Sequence, residues 1–160
     1  MIKKEALFCL SDVPEIALQN IKSIMNDFSI FIFKGPLGAG KTTLIREILG
    51  ACGVRDVITS PTFTYVNSYT NGKGERFHHF DLYRIGSIDE FFSMGFDEYF
   101  YIKNEWCFIE WPEVIMDLLC GEGVKERVYE VDLHYVEHDL TMRRFIGLQL
   151  FQKKLQSSTE

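Results

Sequence analysis

Two hydrophobic periods divide this chain: runs in which apolar residues alternate or are continuous, as in strands, and segments in which they recur every three or four positions, as in helices. Ala6, Phe8 and Leu10 alternate and predict an edge strand. Ser11 or Asp12 then caps a helix, with Glu15 three residues after Asp12 and Val13, Ile16, Ala17, Ile21, Ile24 and Met25 at helical spacing. Residues 30–33, Ile-Phe-Ile-Phe, read as a strand, and residues 42–49 as a helix that stops near Gly50 or Gly53. Alternating stretches at 62–66 and 76–80 flank the turn-forming Asn71-Gly72-Lys73-Gly74 and predict an antiparallel hairpin. Residues 89–101 are aromatic-rich, interrupted by Gly95, and predict one or two short helices. A second continuous apolar run, 106–109, suits a buried strand ending at Glu110, and Pro112 opens a helix through Leu119. Two final strands, near 127–133 and 143–150, precede a polar tail.

At 160 residues, with 46% hydrophobic content and fourteen phenylalanines, the pattern describes one packed domain over residues 1–151, with 152–160 as a polar C-terminal tail. No apolar run approaches membrane-spanning length and the first residues lack the apolar segment of a signal peptide, so the expected location is cytoplasmic, with no membrane partner. The net charge of -6 argues against unaided binding of nucleic acid, whose phosphates demand a basic surface. Cys9, Cys52, Cys107 and Cys120 are widely spaced and read as buried small apolar residues. His78 and His79 point to opposite faces of a strand, one inward and one outward.

Candidate chemistry enters directly after the strand at 30–33. Gly35-Pro36-Leu37-Gly38-Ala39-Gly40-Lys41-Thr42 fills every fixed position of the phosphate-binding loop pattern. Its glycines let the backbone curl so that successive amides face one phosphate, Lys41 adds a positive charge, Thr42 offers a hydroxyl suited to Mg2+, and the next helix presents its positive end. With this loop the elements predict an α/β fold of the P-loop NTPase type, three layers about a mixed, mainly parallel sheet that carries an antiparallel hairpin. Such a loop needs a carboxylate beside it, because Mg2+ takes oxygen ligands and an attacking water must be oriented. Asp81 and Glu110 both stand at strand ends; a strand parallel to 30–33 would end at the loop's edge, and the hairpin leaves the direction of the Asp81 strand open. Ser60-Pro61-Thr62 lies where nucleotide-sensing switch segments usually lie.

Four blocks in this order and spacing, Gly35 to Thr43 (GPLGAGKTT), Ser60-Pro61-Thr62-Phe63-Thr64, His79-Phe80-Asp81-Leu82-Tyr83-Arg84 and Glu110-Trp111-Pro112, make the chain resemble the bacterial TsaE family over roughly residues 6–150. The resemblance implies an ATPase of tRNA threonylcarbamoyladenosine biosynthesis, slow alone, that uses ATP and Mg2+ to cycle a complex of TsaB- and TsaD-type partners and reaches tRNA only through them. By the same resemblance Lys41 holds the phosphates, Thr42 and Glu110 bind the metal, and Asp81 positions water or acts as base. Gly35, Gly38, Ala39, Gly40, Lys41, Thr42 and Thr43 line the nucleotide site, joined by Thr62 as a switch residue, by Trp111 and by a late arginine, Arg144. Arg84 belongs to the same functional surface. Pro36 departs from the family, which commonly has an acidic residue there; it removes one loop amide and alters affinity without abolishing it.

Two other classes share the loop: a small-molecule kinase, against which stands the lack of an arginine-rich lid segment, and a nucleotide-gated binding module without meaningful chemistry. A GTPase is disfavoured, since Asn71-Gly72-Lys73-Gly74 lacks the acid of the guanine-reading motif.

Overall fold

A computed structural model describes residues 3–149; the tail expected from Gln152 lies outside the described residues. Among the described residues the strands are β1 (Lys3–Phe8), β2 (Ile30–Lys34), β3 (Val66–Thr70), β4 (Arg76–Asp81), β5 (Glu105–Glu110), β6 (Val128–Val136) and β7 (Asp139–Gln149). They form one sheet in the order β1-β7-β6-β2-β5-β4-β3. The central four, β6, β2, β5 and β4, are mutually parallel, while β7 and β1 extend one side and β3 the other in antiparallel fashion.

Parallel strands are covered on both faces, so their sequences read as unbroken apolar runs, and β2 obeys this. Phe31 and Phe33 enter the core on one face with Leu44, Ile45, Ile48 and Leu49 of α2 (Lys41–Ala51), whereas Ile30 and Ile32 enter the other. That second face is covered by α3 (Ile88–Ser93), the 3-10 turns Phe96–Tyr101 and Pro112–Ile115, and α4 (Met116–Leu119). Phe31 stacks on Phe108 of β5 at 5.4 Å, tying neighbouring strands within the first core. Burial of each such phenylalanine is worth about 1.5–3 kcal/mol relative to exposure.

The helix expected over residues 13–25 is present but irregular. It runs as a 3-10 turn (Leu10–Asp12), α1 (Val13–Ile16), a π-helical turn (Ala17–Ile21) and a 3-10 turn (Lys22–Ile24). Asp12 stands at the N-cap of α1 as expected, but its carboxylate reaches backwards, accepting from the Cys9 N–H at 2.8 Å, and Cys9 caps the 3-10 turn that precedes the helix. α2 ends as its glycines predict: Gly53 N–H donates to Gly50 and Val54 N–H to Leu49, closing the last turn while Val54 is buried against the core.

Three expectations are corrected. Of the stretch 62–66 expected as a strand, residues 62–65 form a turn in which the Thr64 and Tyr65 amides both donate to the Pro61 carbonyl, and the hairpin strand begins only at Val66. His78 and His79 do face opposite ways, but both are fully buried because β4 is covered on both sides. Of the cysteines only Cys107 is buried; Cys9 and Cys52 are half-buried and Cys120 is exposed.

Candidate functional site

The register of the parallel strands decides which side chains meet. Phe33, the penultimate residue of β2, pairs with Glu110, the last of β5, and Glu110 pairs with Asp81, the last of β4. The direction of the Asp81 strand, open in the sequence, is thereby fixed: both carboxylates end level, at the edge where β2 runs into the glycine-rich loop.

Loop curvature depends on glycine at two places. Gly35 has φ +130° and its missing side chain makes room for the Leu133 carbonyl of β6, which a Cβ would strike. Gly38, at φ +77°, lies under Tyr135, whose hydroxyl would sit 2.8 Å from an added Cβ and which donates to the Leu37 carbonyl at 3.1 Å. Gly40 then caps α2, so the first-turn amides of an eleven-residue helix open toward the loop.

Lys41 is nearly buried. Its ammonium donates to the carbonyls of Gly35 at 2.7 Å and Pro36 at 2.9 Å and lies 4.0 Å from the Trp111 ring centre. Burial lowers its pKa, opposed by the charges of Glu110, Glu113 and Asp81. Thr42 donates its hydroxyl to Glu110 Oε1 at 2.7 Å, and His79 Nε2 meets the same oxygen at 2.9 Å. Asp81 Oδ2 accepts from Thr62 at 2.8 Å and Ser60 at 3.0 Å, while its Oδ1 accepts from the Tyr83 amide. Residues from four separate blocks of sequence thus surround one cleft of about 250 Å³, lined by loop residues 37, 38 and 40–43 and by Ser60, Thr62, Asp81, Glu110 and Trp111.

Trp111 adopts a left-handed backbone, φ 57° and ψ 58°, which costs a bulky residue on the order of 1–3 kcal/mol. Contacts with Lys41 and with the Tyr83 ring, 5.0 Å away, hold it there and aim its indole into the cleft. Chemically the cleft offers a cation, helix-end amides and two carboxylates, a set suited to an anion accompanied by a hard divalent ion.

The family model for the threonylcarbamoyl adenosine biosynthesis protein TsaE matches residues 11–145. The chain belongs to the TsaE family. It is 46% identical over 79 residues to the tRNA threonylcarbamoyladenosine biosynthesis protein TsaE of Haemophilus influenzae, covering 49% of each chain. To the protein of that name from Rickettsia prowazekii it is 41% identical over 102 residues (63% of this chain, 66% of the relative), and to that from Bacillus subtilis 36% over 96 (60% and 58%). The chain thus spans about half to two thirds of the length of these curated relatives. Its fold is that of the crystal structure of Bacillus subtilis YdiB, with a TM-score of 0.62, 20% identity, and 94% and 89% of the two chains covered.

Of the residues that resemblance to the TsaE family singled out, those of the loop, with Thr62, Asp81, Glu110 and Trp111, converge on or beside the cleft. Arg144 stands apart on β7, half-exposed, its guanidinium 3.5 Å from Glu5 of β1. Arg84 packs over the exposed ring of Phe63 at 4.6 Å, outside the cleft lining. Sequence reasoning passed over three members of the site in this TsaE-family chain: Ser60 as a partner of Asp81, Tyr135 as the clamp on Leu37, and His79 as a partner of Glu110. For His79 a signal existed, since it stands two before Asp81 and so shares its face. Among the described residues no helix is long and apolar enough to cross a membrane.

Proposed function

We propose that this member of the TsaE family binds ATP with Mg2+ in the cleft and hydrolyses it, slowly alone, to cycle a complex of TsaB- and TsaD-type proteins in the cytoplasm, with tRNA reached only through those partners. The observation that supports this most is the convergence of Lys41, Thr42, Glu110 and Asp81 at the ends of three adjacent parallel strands. Small-molecule phosphorylation uses the same loop, but no feature of the cleft favours it.

The donor set suits Mg2+. The Thr42 hydroxyl and the Glu110 carboxylate stand side by side, joined by a 2.7 Å hydrogen bond, and among the described residues no cluster of three His, Cys, Asp or Glu could cage a metal by itself. Thr42 and Glu110 would supply one or two protein oxygens to such an ion, few enough to suit Mg2+, which keeps most of its shell for phosphate and water. When bound, it neutralises charge on the phosphates and fixes their orientation. Lys41 and the first amides of α2 bind the phosphate oxygens, stabilising charge as it develops. Asp81, held by Ser60, Thr62 and the Tyr83 amide, orients the attacking water. Trp111 covers Lys41 and limits access of bulk water to it.

Titration calorimetry with ATP and Mg2+, with phosphate release measured in parallel, tests the proposal. ATP is expected to bind in preference to GTP, Lys41→Ala to weaken binding and hydrolysis about tenfold or more, and turnover to rise when TsaB- and TsaD-type proteins are added. A chain that binds no ATP in the presence of Mg2+, or a K41A variant indistinguishable from the parent, overturns it.

A further inference from the structure

His79 is fully buried, yet one of its nitrogens reaches the site. Nε2 lies 2.9 Å from Glu110 Oε1, and Nδ1 is enclosed with no hydrogen-bond partner. A hydrogen on Nδ1 would be a buried donor without an acceptor, so the hydrogen belongs on Nε2, donated to the carboxylate. Thr42 donates to the same Oε1 from the opposite side of the site, at 2.7 Å. Two donors on one oxygen fix both the rotation and the tilt of the carboxylate, and no described residue donates to Oε2.

We infer that His79 is a positioning residue that holds the Glu110 carboxylate with Oε2 presented to a divalent cation, an inference that rests on the metal-nucleotide reading proposed above. Of the two donors, Thr42 is on the loop helix and is itself an expected metal ligand, whereas His79 is set in the middle of the parallel sheet. Its placement two residues before Asp81 lets one strand, β4, supply a carboxylate of the cleft and the group that orients its neighbour on β5. Partners of this kind, one bond removed from the ion, typically change metal affinity 10–100-fold when lost.

The test separates a hydrogen bond from packing. Glutamine carries its amide nitrogen as many bonds from Cα as Nε2 is, and asparagine matches Nδ1, so H79Q restores the donor and H79N does not. ATP affinity is measured by calorimetry in EDTA and across a Mg2+ titration for the parent, H79Q, H79N and H79L. Expected is an increase of about tenfold in the half-saturating Mg2+ concentration for H79N and H79L, with recovery in H79Q. ATP affinity in EDTA is expected to stay within about twofold throughout, because phosphate binding by Lys41 does not pass through His79. Parental Mg2+ dependence in H79L, or equal behaviour of H79N and H79Q, overturns the role of His79 alone; the Gln and Asn pair carries the test where H79L fails to fold. A parent whose ATP affinity ignores Mg2+ overturns the metal-nucleotide reading and this role together.

Discussion

Two buried histidine–glutamate pairs bridge β4 and β5, one toward each end of the strands, and their differences separate support from chemistry. Toward the N-terminal end His78 Nε2 lies 2.5 Å from Glu105 Oε2, while Arg76 occupies Glu105 Oε1 at 3.2 Å and Ser68 of β3 occupies His78 Nδ1 at 2.7 Å. Both carboxylate oxygens of Glu105 and both ring nitrogens of His78 are engaged. At the other end His79 and Thr42 crowd onto Glu110 Oε1, and His79 Nδ1 is left bare. A saturated network rigidifies, whereas a network with a spare oxygen beside a lysine and a helix N-terminus has bonding capacity for a ligand. Adjacent residues with the same partner type therefore sit in networks of different saturation, decided by which strand end each glutamate occupies.

The largest expected effect tests that division directly. Glu110→Ala and Glu105→Ala each leave a buried imidazole N–H unpaired and are each expected to cost about 1–3 kcal/mol of stability. For a chain of this length that is about 2–4 °C in Tm per kcal/mol. Only E110A is expected to lose the proposed Mg2+-dependent ATP hydrolysis, by about 100-fold, whereas E105A keeps it within about twofold. Loss of hydrolysis in E105A matching that in E110A would erase the distinction between the two ends.

A smaller change makes the two histidines alike. Ser68→Ala strips the partner from His78 Nδ1 and leaves it as bare as His79 Nδ1. The expected cost is about 1 kcal/mol, read as a lower denaturation midpoint with unchanged slope, and nucleotide binding is expected to be unaffected. A cost near zero would mean that a bare Nδ1 is tolerated at either end, and that saturation of the N-terminal cluster contributes little to its stability.

The cleft end was the more legible of the two from sequence. The continuous runs 30–33 and 106–109 announce strands buried on both faces, and the glycine-rich loop after the first and Glu110 after the second must then emerge at one edge. Period-two reasoning placed His78 and His79 on opposite faces correctly but carries no information on what covers a face, and α2 and the turn at Phe96–Tyr101 cover both. Alternation also misled over 62–65, where Thr62 turns in to Asp81 and Phe63 out to solvent ahead of the strand that begins at Val66. Apolar spacing over 13–25 tracked the buried stripe, yet it cannot register the shifts in hydrogen-bond pattern through Ala17–Ile21 and Lys22–Ile24. Pairings between distant segments, such as Tyr135 with Leu37, leave no local trace at all.

The least effect expected is a pH dependence, and it belongs to the N-terminal cluster. Burial lowers the His78 pKa from its ordinary 6.5; the Glu105 carboxylate raises it, Arg76 lowers it, and the Ser68 hydroxyl and the Tyr99 ring, 4.7 Å away, complete its surroundings. Well above pH 6.5 the imidazole is neutral folded or unfolded and contributes nothing to the difference. As pH falls through 6.5 the unfolded chain takes up a proton that the folded chain resists, so stability declines until the lowered folded value is passed. Urea midpoints taken at about pH 7.5 and about pH 5.5 are expected to fall in the parent and to fall less in His78→Gln, which has no proton to take up. An identical fall in both would place the acid sensitivity elsewhere in the fold. Because Glu105 opposes the burial that drives the shift, the decline is expected to stay below the cost of removing Glu105 itself.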